Sequence, residues 1–205
     1  MNSSSPRLLI TPRSPFSRRV RLAMMQAGYA FEEEVVDPFQ PTENFLRANP
    51  LGLVPVLIRV EGDPIADSSL ILDYLDEVAF AVWPKDPLLR LEVRSVSVLC
   101  SGVMMAAVNY FFESRKTVPA TEWLEDYLQT VPRILAEIDR RLQNRRLVHA
   151  IAILTQAGWD LAVALEYLDL RMPNFNWRES HPSFVPVLEE ARASRCFTET
   201  SPPAQ

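Results

Sequence analysis

The pattern of apolar and polar positions changes character near residue 80. Leu8-Leu9-Ile10 is a short apolar run of the kind that forms a buried strand. Ser14-Pro15-Phe16 then opens a helix, with Ser as its N-cap and Pro in the first helical position. Val20, Leu22, Ala23 and Met24 are its apolar residues, and Gly28 stands where a helix commonly stops. Phe31 to Val36 reads as a strand whose acidic run, Glu32–Glu34, marks an edge. Thr42 to Ala48 reads as a short helix ending at Asn49-Pro50. Val54 to Ile58 is a third strand, Gly62-Asp63 a hairpin turn, and Pro64 to Ala66 a brief fourth strand. Asp67-Ser68-Ser69 caps a helix with Ile71, Tyr74, Leu75 and Val78 at i, i+3, i+4 and i+7. The predicted order β-α-β-α-β-β-α makes residues 1–80 a compact α/β domain.

Residues 81–87, Ala-Val-Trp-Pro-Lys-Asp-Pro, break every period and read as a linker. From 88 to 205 only helical patterns remain. Leu89, Val93, Val96, Cys100, Val103 and Ala107 form one apolar stripe. Leu124, Tyr127, Val131, Leu135, Ile138 and Leu142 form a second, and Pro132 inside it predicts a kink or a division. A helix over Gln156 to Leu170 stops at Pro173, another follows Pro182, and the tail from Ser201 to Gln205 reads as loose. No repeat or low-complexity block interrupts this plan.

Composition narrows the function. A net charge of −5 and a pI near 5.2 argue against a general nucleic-acid binder. Arg7, Arg13, Arg18, Arg19 and Arg21 nevertheless make the start of the chain basic, which fits a small anionic ligand or a solvated helix face. Cys100 and Cys196 are far apart, and His149 and His181 lack ligand spacing, so neither a disulfide framework nor a metal site is predicted. The segment from Met1 to Pro6 does not read as a secretory signal, and no apolar run is seen to reach the roughly 20 residues of a membrane span. The expectation is a cytoplasmic protein acting away from membranes and nucleic acid.

Three short segments suggest chemistry. A hydroxyl at Ser14 would sit beside the unsatisfied N–H groups and positive end of a helix, where an anion is favoured; the same residue is also an ordinary cap. Pro55 stands where a strand begins. A cis Val54-Pro55 bond would turn the Val54 main chain outward for an extended peptide, and a trans bond would give an edge strand. Asp67 and Ser68 at a helix start could hold an ammonium and a carboxylate, the two charges of an α-amino acid head group.

Ser-Pro-Phe-x-x-Arg, Asn-Pro-x-Gly-x-Val-Pro and Asp-Ser-Ser-x-Ile, in this order, resemble the N-terminal domain of the glutathione S-transferase family. The run from Trp83 to Pro87 and Val93-Arg94 extend the resemblance, which is closest to bacterial members with a Ser-Pro-Phe motif. It implies a thioredoxin-like domain followed by an all-helical one, with glutathione as co-substrate, no metal, and a homodimer. It implies that Ser14 donates to the glutathione sulfur and that Val54, before Pro55, pairs with the cysteinyl backbone. Asp67 and Ser68 would hold the γ-glutamyl end. Phe16 and Gln40 fall with the glutathione contacts, with Asn44 as a further candidate. Met105, Asn109 and Phe112 share one side of a helix and would either line a pocket for a hydrophobic electrophile or fill a core.

The energetics suit that role. A thiol with a pKa of roughly 8.5 is about 3% ionised at neutral pH, and lowering it by about two units takes about 2.7 kcal/mol. One charge-assisted hydrogen bond supplies about 1.5–3 kcal/mol and a helix N-terminus about 0.3–1 kcal/mol more. A hydroxyl where some related classes carry a cysteine favours thiolate addition over thiol transfer. Thr155 followed by Gly158 lacks the acidic half of a capping box, for which Asp160 could compensate. The competing reading is a non-catalytic stress- or transcription-associated relative that uses the same scaffold to bind a partner.

Overall fold

The computed structural model describes residues 5–79, 82–152 and 155–203. Ala81 of the predicted linker, the first four residues and the last two therefore lie outside the described residues. The chain forms two compact units, residues 83–194 making one and residues 1–82 together with 195–205 the other. The closing segment thus packs with the beginning of the chain, whereas the sequence pattern grouped it with 88–205.

In the first unit, β1 (Arg7–Ile10) lies between β2 (Glu32–Val35), parallel to it, and β3 (Val56–Ile58), antiparallel to it. The central strand is buried along Leu8, Leu9 and Ile10, while Glu32, Glu33 and Val35 of β2 are exposed, as an edge requires. The fourth strand is reduced to one bridge, Leu57 with Ile65. The next hydrogen-bonded pair of that ladder would be Pro55 with Asp67, and Pro55 has no N–H to give. α1 (Pro15–Gln26), α2 (Glu43–Ala48) and α3 (Ser68–Ala79) complete the unit. Leu9 and Val56 pack on Phe45 of α2. Strand alternation leaves Leu8, Ile10 and Leu57 for the opposite face, where α1 and α3 bury Val20, Leu22, Met24, Ile71, Leu72 and Leu75. The buried face of α3 runs through Ser68, Leu72 and Leu75, and Val78, predicted as core, is 46% exposed. At about 100° per residue Val78 lies roughly 90° around the helix from the centre of that face, at its margin.

In the second unit, α4 (Pro87–Glu113) is capped by Asp86, whose Oδ1 accepts the Leu89 N–H at 2.8 Å. It packs on α5 (Thr121–Arg141) and α7 (Gln156–Arg171). Val93, Val96, Cys100, Val103 and Ala107 of the predicted stripe are fully buried. α4 is long and apolar enough to cross a membrane, with a mean hydropathy of 1.6 over its most apolar stretch. That corrects the expectation that no run reaches such a length, and here the apolar stripe serves as bundle core. α5 runs unbroken through Pro132, so the predicted division does not occur. The proline removes one bond, to the Leu128 carbonyl, and burial of Val131, Leu135 and Ile138 outweighs that loss.

Three short helices went unpredicted, α6 (Arg145–Ala152), α8 (Trp177–Ser180) and α10 (Arg195–Glu199). α9 (Val185–Ala193) follows a single turn at Pro182–Phe184. Thr155 makes no capping bond, and its Oγ1 is buried without a partner among the described residues. Asp160 is fully buried, accepting from Ser97 Oγ at 2.5 Å and Gln156 Nε2 at 2.7 Å. The last helix, α10 (Arg195–Glu199), belongs to the first unit and packs on α1.

Candidate functional site

Sheet register brings the three motif segments of the first unit to one edge. Leu9 pairs with Val56 in the antiparallel ladder, so continuing it sets Thr11 opposite Val54. Ser14 lies three residues beyond Thr11, and its N–H donates to the Thr11 carbonyl at 3.0 Å. Ile65 exchanges both main-chain bonds with Leu57, so Asp67 returns to the level of Pro55. β2 is parallel to β1 and ends at this edge too; Gln40, five residues beyond its end, is exposed. Residues separated by more than fifty positions in sequence are thereby gathered where β1 ends and α1 begins.

Ser14 is the N-cap of α1, with extended backbone at φ −78° and ψ 122°. Its Oγ accepts the Ser17 N–H at 3.1 Å, and its carbonyl accepts the Arg18 N–H at 3.0 Å. Pro15 has no N–H to satisfy, so this first turn is complete apart from the N–H of Phe16. The Ser14 side chain is half-buried, and its hydroxyl proton has no acceptor among the described residues. Phe16 beside it is half-buried.

The Val54-Pro55 peptide is cis, as is Ala66-Asp67. Val54 is half-buried, and among the described residues its main chain makes no hydrogen bond. The preceding loop is shaped by Asn49, which is buried. Its Nδ2 donates to the Leu53 carbonyl at 2.8 Å, and its Oδ1 accepts the Leu51 N–H at 3.1 Å.

Asp67 is exposed and caps α3, Oδ1 accepting the N–H groups of Ser69 at 2.9 Å and Leu70 at 3.4 Å. Ser68 differs from its predicted setting because its side chain is buried. Arg19, also buried, donates from Nη1 to the Ser68 Oγ at 3.3 Å. With Oγ acting as acceptor for the guanidinium, the Ser68 proton is left to point elsewhere. Sequence reasoning placed Arg19 in a basic cluster and at the end of the Ser-Pro-Phe-x-x-Arg motif but gave it no partner, because a basic helix face looks the same whether it meets solvent or a second helix. Its place five residues after Ser14, on the side facing α3, was the available signal.

Met105, Asn109 and Phe112 lie on α4 in the other unit. Met105 is 47% and Phe112 45% exposed, which removes the reading of these two as core. Among the described residues no three His, Cys, Asp or Glu side chains are grouped as metal ligands would be.

Over 197 residues the chain is 31% identical to the GST-like protein YibF of Escherichia coli, spanning 93% of this chain and 95% of that protein. The chain belongs to the glutathione S-transferase family. The family's N-terminal domain model matches residues 13–78, the stretch that carries Ser14, Val54, Asp67 and Ser68. A probable glutathione S-transferase of Nicotiana tabacum is 32% identical over 192 residues, covering 86% of this chain and 83% of its own. Among solved structures, a glutathione S-transferase from Methylobacterium radiotolerans in complex with glutathione sulfonate matches with a TM-score of 0.87 at 30% identity. It covers 98% of this chain and 96% of that one. Another, from Methylobacillus flagellatus with glutathione bound, has a TM-score of 0.87 at 27% identity, covering 97% of this chain and all of that one. The thioredoxin-like first domain and helical second domain are those of the glutathione S-transferase fold.

Proposed function

We propose that this protein is a glutathione transferase in which Ser14 stabilises the glutathione thiolate for attack on a hydrophobic electrophile. The observation that carries the reading is the half-buried Ser14 hydroxyl, capped onto α1 yet with its proton free, at the sheet edge shared with Val54 and Asp67-Ser68. The Ser14 O–H donates to the sulfur, and the positive end of α1 adds to it. The Val54 main chain pairs with the cysteinyl unit in an extended, strand-like manner. Ser68 and the N-terminus of α3 receive the γ-glutamyl carboxylate, and the Asp67 carboxylate its ammonium. The thiol proton passes to solvent, the sulfur lone pair forms the new S–C bond, and with an aryl halide the halide leaves with its electron pair. Gln40 and Phe16 border the tripeptide.

The proposal includes a homodimer. Leu91, Val98, Met105 and Phe112 recur at seven-residue spacing on α4 and are 45–69% exposed, an apolar seam of the kind that subunit contact covers. Light scattering that returned a monomer would refute it. The catalytic proposal is tested by calorimetric titration with glutathione and by assay against aryl halides, epoxides and organic peroxides. Binding with turnover in any one class sustains it. Absence of glutathione binding assigns the chain to the interaction proteins of the family instead.

A further inference from the structure

Arg18 is the residue of α1 with the most distant partners. Its side chain is only 4% exposed although it carries a full charge. Nη2 donates to the Phe197 carbonyl at 3.0 Å and approaches Ser201 Oγ at 3.5 Å, and Nε approaches Thr200 Oγ1 at 3.4 Å. The guanidinium carbon lies 3.9 Å from the centre of the Phe197 ring. One turn on, Arg21 donates from Nη1 to the Thr200 carbonyl at 3.2 Å while its Nε holds Glu33 of β2 at 2.7 Å. Phe197 and Thr200 are themselves buried, so the contact is a packed interface inside the first unit.

A guanidinium withdrawn from water is costly unless its fork is matched by acceptors, and here the closing segment supplies them. The other end of the same residue reaches the site, because the Arg18 N–H donates to the Ser14 carbonyl at 3.0 Å. Main chain and side chain of one residue therefore tie Ser14 to the closing segment. A hydroxyl that must meet a developing charge is effective only when its carrier is held to a fraction of an ångström.

We propose that residues 195–201 form a clasp on α1 that fixes the direction of the Ser14 hydroxyl, with Arg18 as its positioning residue. The proposal rests on the thiolate role given to Ser14 above. Its test compares Arg18→Met, Arg18→Lys and Ser14→Ala in the full-length protein, with glutathione and chlorodinitrobenzene across pH. In Arg18→Met the pH profile of kcat/KM moves up by about one unit and the rate at neutral pH falls about threefold. The glutathione KM stays within about threefold, and Arg18→Lys recovers part of the shift. A lowered melting temperature with an unmoved profile overturns the positioning role. Should Ser14→Ala shift the profile and Arg18→Met not, the clasp falls while the Ser14 reading stands. Should Ser14→Ala leave the profile unchanged, the Ser14 reading fails and takes the clasp with it. If Arg18→Met does not fold, Phe197→Leu, which removes the ring beneath the guanidinium, is measured by the same criteria.

Discussion

Ser14 holds two posts at once, and substitutions can separate them. As a cap it satisfies the Ser17 N–H at 3.1 Å. Ser14→Ala loses that acceptor and should cost about 1 kcal/mol, or about 2–4 °C in melting temperature for a chain of this size. As a donor to sulfur it contributes about 1.5–3 kcal/mol, equivalent to about one to two pKa units on the bound thiol. Starting from a bound thiol pKa of about 6.5, the alanine variant moves to roughly 7.5–8.5. The thiolate fraction at neutral pH then drops about 3- to 25-fold, and the deficit closes above about pH 9, where both proteins hold thiolate. Ser14→Asp retains an acceptor at the helix start but presents no proton and a like charge, so it should restore the melting temperature without the rate. Ser14→Thr should restore both. Thermal melts, steady-state rates across pH and the ultraviolet absorbance of bound thiolate report the two effects independently. An alanine variant with an unshifted thiol, or an aspartate variant as active as the parent, would refute the reasoning.

Four further outcomes follow from the same structure. Ser68→Ala removes the acceptor of the buried Arg19 Nη1. It should cost about 1–3 kcal/mol in urea unfolding and raise the glutathione KM several-fold with kcat nearly unchanged; an unaltered KM would remove Ser68 from the carboxylate contact. Gly62→Ala sets a Cβ 2.6 Å from Arg59 Nη2 at φ +86°, against an arginine pinned to the Asp63 carbonyl, and should cost about 1–3 kcal/mol. Gly28→Ala, whose Cβ meets nothing within 4 Å, should lose only the left-handed backbone term of about 1 kcal/mol, so equal losses at the two sites would be evidence against the Arg59 contact. Burial, with the Tyr74 hydroxyl at 3.4 Å, pushes the Tyr29 phenol up to about 12. Because the folded value lies above the unfolded one near 10, this contribution is complete below about pH 10 and is lost as pH rises through about 12. Tyr29→Phe should flatten the alkaline loss of stability in that window, and a parallel decline would show that another group governs it.

What the sequence determined by itself is what short-range physics controls. Ser14 with Pro15, Thr42 before Glu43 and Gly28 after α1 all act within about four residues, and each stands where its element begins or ends, whereas Asp86-Pro87, read as linker, is the cap and first residue of α4. The apolar stripe of α4 and the acidic edge of β2 were legible for a similar reason, since period alone marks a face for burial or exposure. Tertiary structure decided which surface each face meets. Pro132 could remain inside α5 because packing outweighed one missing bond, and the predicted fourth strand shrank to a single bridge because Pro55 has no N–H for the next pair. Met105 and Phe112 share an apolar identity with the buried residues of α4, and only the packed bundle shows that they are left outside it. Arg18 and Arg19 look alike in the sequence, yet one is bound to Phe197, 179 positions away, and the other to Ser68. A guanidinium takes whichever acceptors folding brings to it, and the closure of distant segments that makes this choice leaves no periodic trace in the chain.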